Sequence, residues 1–131
     1  MAAPVRVLIV DDQEPFRVAA ACVVEATAPF VVAGTATSGE ECLAVVPALR
    51  PDLVLMDVGL PGIDGVEAAR RLAALPRPPA VVLVSSYDED ALANGADGTD
   101  GTAASGAVAY VSKSSFGPER LAALWALVAA G

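Results

Sequence analysis

Five short apolar runs recur along the chain, and four of them lead directly into polar residues. Val5 to Val10 ends at Asp11-Asp12, Leu53 to Met56 at Asp57, Ala80 to Val84 at Ser85-Ser86, and Val108 to Val111 just before Lys113. Phe30 to Thr35 is the remaining run. Short runs rich in β-branched residues and bounded by turn residues read as buried strands. Between them the period becomes helical. Gln13, Glu14 and Pro15 open a helix, with proline in the first turn where its missing N–H is harmless. Phe16, Ala19, Ala20, Val23 and Val24 share one face of it. Ser38 with Glu41 makes a capping box for a helix that runs towards Leu49 and stops before Pro51. Asp64 with Glu67 repeats the arrangement, and Val66, Ala69, Arg70 and Leu72 carry that helix to about Leu75. Gly117-Pro118-Glu119 opens a last helix over 118–131, with Leu121, Leu124, Trp125 and Val128 inward.

The pattern degrades over residues 88–107. Asp88-Glu89-Asp90-Ala91-Leu92-Ala93 starts as a helix, but the turn pairs Asn94-Gly95, Asp97-Gly98 and Asp100-Gly101 follow. Each glycine inside a helix costs about 1 kcal/mol relative to alanine. A weak or frayed fourth helix with a mobile loop is expected here. The spaced aspartates lack the closing bidentate glutamate of an EF-hand calcium loop.

Strands alternating with helices make a parallel sheet covered on both faces. The expected fold class is α/β, a doubly wound five-stranded sheet in the flavodoxin-like order 2-1-3-4-5, forming a single domain over 1–131. Residues 5–57 are its strand-helix-strand-helix-strand core. The switch point of that order lies between the first and third strands, at their carboxyl ends. Asp11, Asp12 and Asp57 converge there, with Ser85 and Lys113 on the same sheet edge.

Composition narrows the chemistry. The chain has 131 residues and 55% hydrophobic positions, enough for one full core. A formal charge of −8 and a pI of about 4.2 argue against direct nucleic-acid binding, and suit cationic or protein partners. No apolar run is long enough to span a bilayer, and the amino terminus has no secretory pattern, so a cytoplasmic protein is expected. Histidine is absent and the two cysteines, Cys22 and Cys42, form no CxxC, which argues against the usual zinc sites. Both read as buried free thiols of a reducing compartment. Without histidine, chemistry falls to carboxylates, hydroxyls and lysine.

One aspartate after a strand is an ordinary cap or loop residue, and a lysine there is ordinarily a solvated charge. The combination is different. Two carboxylates about 4 Å apart repel by roughly 4 kcal/mol at an effective dielectric near 20. Three acids at one edge call for a cation, and an all-oxygen set with room for water suits Mg²⁺. Asp57 can then attack a phosphoryl group whose oxygens are neutralised by the metal, by the Lys113 ammonium and by a hydrogen bond from Ser85.

Several segments carry a family resemblance: Val7-Leu8-Ile9-Val10-Asp11-Asp12, Asp52-Leu53-Val54-Leu55-Met56-Asp57, Leu60-Pro61-Gly62-Ile63-Asp64-Gly65, Val84-Ser85 and Ala109-Tyr110-Val111-Ser112-Lys113. Over nearly its whole length the chain resembles a receiver domain of a two-component response regulator. The resemblance implies Asp57 as phosphoacceptor, with Asp11, Asp12, Asp57 and the backbone carbonyl of Gly59 binding Mg²⁺. It implies Ser85 as the switch hydroxyl, Tyr110 as the switch aromatic and Lys113 as the phosphate-binding lysine. The phosphodonor is then a phosphohistidine on a sensor histidine kinase or phosphotransfer protein, and a homodimer is compatible with the family. Such a domain is a signalling phosphoacceptor that catalyses only its own phosphoryl transfer and dephosphorylation. Ser114 stands where many receivers have proline, a change tolerated in the subfamily attached to helix-turn-helix output domains.

The alternative is a phosphorylation-independent protein-interaction module on the same scaffold. An FMN-binding flavodoxin lacks support, because no Ser/Thr-rich phosphate loop follows the first strand. An aspartate-nucleophile phosphatase would want a second acid where Gly59 stands.

Overall fold

The computed structural model describes residues 3–86 and 106–130. Its strands are β1 (Val5–Val10), β2 (Phe30–Ala36), β3 (Leu53–Asp57), β4 (Ala80–Ser85) and β5 (Ala109–Ser112). The helices among the described residues are α1 (Glu14–Glu25), α2 (Gly39–Leu49), α3 (Gly65–Ala73) and α4 (Pro118–Ala130), with a 3₁₀ turn at Lys113–Ser115. The expected weak helix over 88–107 lies outside the described residues, except for its last two positions. No described helix is long and apolar enough to cross a membrane.

All strand pairs are parallel, in the order β2-β1-β3-β4-β5. Strand alternation sorts the core into two layers. Val7, Ile9, Leu53, Leu55, Val82 and Val84 face the side covered by α1 and α4, where Ala20, Val24, Leu121 and Leu124 meet them. Leu8, Val10, Val54, Met56 and Leu83 face α2 and α3, against Cys42, Val46, Ala68, Ala69 and Leu72. Because both faces are covered, β3 is buried at every position, which is why its sequence does not alternate.

Local signals set the helix starts. The Ser38 hydroxyl accepts from Glu41 N at 3.0 Å, and the Glu41 carboxylate accepts from Thr37 N at 2.7 Å. Asp64 Oδ1 accepts from Glu67 N at 2.8 Å. These bonds satisfy amide groups that have no partner inside the helix. Two boundaries differ from expectation. Helix α3 stops at Ala73, and Ala74 and Leu75 continue it only as tight turns bonded to Arg71 and Leu72. Strand β5 begins at Ala109, because Val108 bonds Val81 outside the ladder and is 44% exposed.

Two burial expectations are corrected. Ala19 on α1 is exposed and Ala21 packs on the core instead. Cys22 is exposed, while Cys42 is fully buried. Both corrections have one cause. The helix sits with Ala20 and Val24 pointing down, which turns positions 18, 19 and 22 to solvent.

Candidate functional site

Sheet order brings the polar strand ends together. Val10 pairs with Met56, so Asp11 and Asp57 follow on adjacent strands about 4.8 Å apart. Asp57 pairs with Val84, and Ser85 pairs with Ser112, so Ser85 and Lys113 continue the same edge. Ligand atoms of Asp11, Asp12 and Asp57 all lie within 4.8 Å of one another. Asp11, Asp57 and Ser85 are buried, whereas Asp12 is exposed.

Lys113 extends from the 3₁₀ turn into this cluster. Its Nζ is 2.7 Å from Asp11 Oδ2 and 3.8 Å from Asp57 Oδ2. The ammonium is the close charged neighbour of the buried Asp11 Oδ2. The ammonium also lies 4.8 Å from the centre of the Phe16 ring, which itself meets Phe116 at 6.2 Å. The turn beneath Lys113 is tied by serines. The buried Ser112 hydroxyl donates to Ser115 Oγ at 2.8 Å and lies 3.2 Å from Ser114 Oγ.

Backbone groups fix the two inner carboxylates. Asp11 Oδ1 accepts from Gln13 N at 2.8 Å, and the Arg17 guanidinium donates to the Asp11 carbonyl at 2.7 Å. Asp57 Oδ1 accepts from Gly59 N at 3.2 Å. A Cβ on Gly65 would fall 2.1 Å from the Asp57 carbonyl oxygen, so only glycine lets α3 start directly against the end of β3. Burial, and then the neighbouring Asp11 charge, raise the Asp57 carboxyl above the usual carboxylate range, with Gly59 N–H and Lys113 opposing.

Three carboxylates and one ammonium sum formally to −3 + 1 = −2. That residual charge on an all-oxygen set fits a divalent cation of the hard, oxygen-seeking kind. Asp11, Asp12 and Asp57 are the residues that could hold it.

Tyr110 stands apart from the carboxylates. Its ring packs on the layer covered by α2 and α3, and its hydroxyl is buried with no hydrogen-bond partner among the described residues. Burial, and then the Asp64 charge, raise the phenol above its ordinary range. Of the neighbours that shape the site, Phe16 reads in sequence only as a core residue of α1. Arg17 and Phe116 carry no sequence signal beyond local structure, and Gly65 is marked only as part of the 60–65 segment.

A family model described as the response regulator receiver domain matches residues 7–125. The positive alginate biosynthesis regulatory protein of Pseudomonas aeruginosa is 41% identical over 87 residues, which are 66% of this chain and 35% of that protein. A protein-glutamate methylesterase/protein-glutamine glutaminase of Symbiobacterium thermophilum is 38% identical over 86% of this chain and 30% of its own length. Among solved structures, the response regulator domain of Thermotoga maritima CheB superposes with a TM-score of 0.80 at 28% identity, covering 95% of this chain and 96% of that one. A LuxR-family two-component response regulator from Aurantimonas superposes at 0.81 and 26% identity, covering 98% and 87%. The chain therefore belongs to the response regulator receiver domain family. It spans about a third of the length of these two curated relatives.

Proposed function

We propose that this chain is the phosphoacceptor receiver domain of a two-component regulator, and that Asp57 takes the phosphoryl group. The observation that carries the reading is the position of Asp57 itself. It is a buried carboxylate at the end of a central strand, 3.8 Å from a lysine ammonium and grouped with two further acids. Burial this deep disfavours its charge, so the group is held there against an electrostatic cost.

Asp11, Asp12, Asp57 and the Gly59 carbonyl are the proposed Mg²⁺ ligands; the ion, when bound, would supply positive charge to the phosphoryl oxygens. An oxygen of Asp57 forms the new O–P bond while the P–N bond to the donor imidazole breaks, and the departing nitrogen keeps the electron pair. Lys113 leaves Asp11 for a phosphoryl oxygen, a short move for a flexible point charge. The Phe16 ring limits where that ammonium can go. Ser85 donates a hydrogen bond to another phosphoryl oxygen.

Tyr110 is the proposed second part of the switch. A buried hydroxyl without a partner costs about 1–3 kcal/mol. The half-buried Tyr110 ring packs on the α2 and α3 layer while its hydroxyl has no partner among the described residues, so a ring position that regains a hydrogen bond would be open to bias from the site. The proposed donor is a sensor histidine kinase or a phosphotransfer protein, and the proposed compartment is the cytoplasm. Residues 1–131 are proposed as one receiver domain.

Incubation with Mg²⁺ and acetyl phosphate tests the reading. Intact-mass analysis should show one added phosphoryl group, absent with EDTA and absent in Asp57→Asn. Failure to label, under conditions where a control receiver labels, would instead favour the phosphorylation-independent interaction module.

A further inference from the structure

Eight basic side chains occur in the chain, and nearly all are engaged. Arg6 donates to the Leu49 carbonyl, Arg17 to the Asp11 carbonyl, and Arg70 and Arg71 pair with Glu67. Lys113 pairs with Asp11, and Arg120 is engaged as well. Arg50 and Arg77 are the two left without a partner among the described residues. Both are exposed and line one solvent-open cavity of about 590 Å³ beneath the amino-terminal ends of β3 and β4, at the sheet end opposite the carboxylates.

The cavity walls are apolar and stiff. Pro47, Pro51, Pro76, Pro78 and Pro79 line it, and proline fixes the backbone in advance of binding. Trp125 on α4 and Leu75 complete its apolar surface. The one acid on the wall, Asp52, already accepts from Arg6 N at 2.9 Å. Formal charges on the lining sum to +2 − 1 = +1, in a chain of net charge −8. Volume, a largely apolar lining and two basic residues on one wall suit a small-molecule site.

Arg50 adds an independent observation. It is the only non-glycine described residue with positive φ, at +50°, where it caps α2 by donating its N–H to the Val46 carbonyl. Glycine is the residue that fits this conformation without strain. Arg50 is exposed and lines the cavity, so its guanidinium is open to a ligand while its backbone holds a conformation that glycine would adopt without strain.

We propose that this cavity binds a small aromatic monocarboxylate, its ring among the prolines and Trp125 and its carboxylate between Arg50 and Arg77. Guanidinium forks match a carboxylate, and a net lining charge of +1 suits a monoanion. The site is separate from Asp57 and independent of Mg²⁺ and phosphorylation.

Trp125 is the only tryptophan, so its fluorescence reports on the cavity wall. The whole chain, without Mg²⁺, is titrated with phenylacetate, benzylamine and acetate. Phenylacetate should give a saturable change, with the other two binding at least about tenfold more weakly. The double variant Arg50→Gln/Arg77→Gln should weaken phenylacetate about tenfold, equivalent to about 1.4 kcal/mol, with an unchanged unfolding midpoint. Amide shifts should centre on Arg77 and Trp125 and leave Asp57 still. No saturable change, equal binding of benzylamine, or undiminished binding by the folded double variant would each overturn the proposal.

Discussion

Lys113 and Asp11 form an ion pair of 2.7 Å inside the acidic cluster, closer than the 3.8 Å between Lys113 and Asp57. The lysine is thus engaged by an inner acid, one step from the proposed phosphoacceptor. Asp11 is 1% exposed, so removing the ammonium strands a buried carboxylate beside two others. Loss of one partner of a buried pair costs about 3–5 kcal/mol, and Lys113 retains some access to water. Lys113→Met should therefore lose ~2–3 kcal/mol in urea unfolding without Mg²⁺ and regain much of it with the ion. An equal loss in both conditions would speak against charge as the cause. Labelling by acetyl phosphate should also slow sharply.

Asp57→Asn should stabilise the metal-free protein at neutral pH. The folded carboxyl is raised by burial and by Asp11, so the folded state binds its proton more tightly than the unfolded state. Stability then falls as pH rises from the ordinary carboxylate range through the raised folded value. Asparagine removes that slope. The variant's thermal midpoint should match wild type in acid and exceed it at pH 7, and Mg²⁺ should close the gap. A neutral-pH midpoint below wild type without metal would contradict this.

Gly65→Ala is expected to be costly although the residue starts a helix, where alanine is favoured intrinsically. Its methyl would sit 2.1 Å from the Asp57 carbonyl oxygen, against backbone that cannot rotate away. Overpacking of this kind costs about 1–3 kcal/mol. Chemical denaturation should show that loss together with slower labelling of Asp57. Asp64→Ala, which removes only a cap, should cost about 1 kcal/mol and leave labelling intact.

The two thiols should separate cleanly. Cys22 is exposed, while burial pushes the Cys42 thiol up to about 12. Native protein at pH 8 should react with one equivalent of a disulfide reagent, and with two in denaturant. Rapid native modification of both would mean that α2 opens more readily than its burial implies.

Arg50→Gly relieves an arginine from positive φ and should stabilise the fold by about 0.5–1 kcal/mol. The same change should weaken phenylacetate binding, so a stability gain and a binding loss would appear in one variant. A destabilised Arg50→Gly would show that the left-handed cap is not strained.

What the sequence determined is what short-range physics controls. Apolar runs of strand length between breakers mark all five strands, and Ser38 and Asp64 mark helix starts because a cap acts over three residues. The polar residues at the strand ends follow directly, so Asp11, Asp12, Asp57, Ser85 and Lys113 are legible as one edge once the sheet order is assumed. Other features depend on how finished elements seat against each other, and no local pattern encodes that. The roll of α1 on the sheet exposes Ala19 and Cys22, although periodicity and composition put both inside. Tertiary approach alone puts Phe16 beside the Lys113 ammonium and Gly65 against the Asp57 carbonyl. It likewise gathers Arg50, Arg77 and Trp125, which are distant in sequence, around one cavity. Helical and strand periods specify which residues share a face, but the rotation and offset of that face are fixed by packing summed over the whole core.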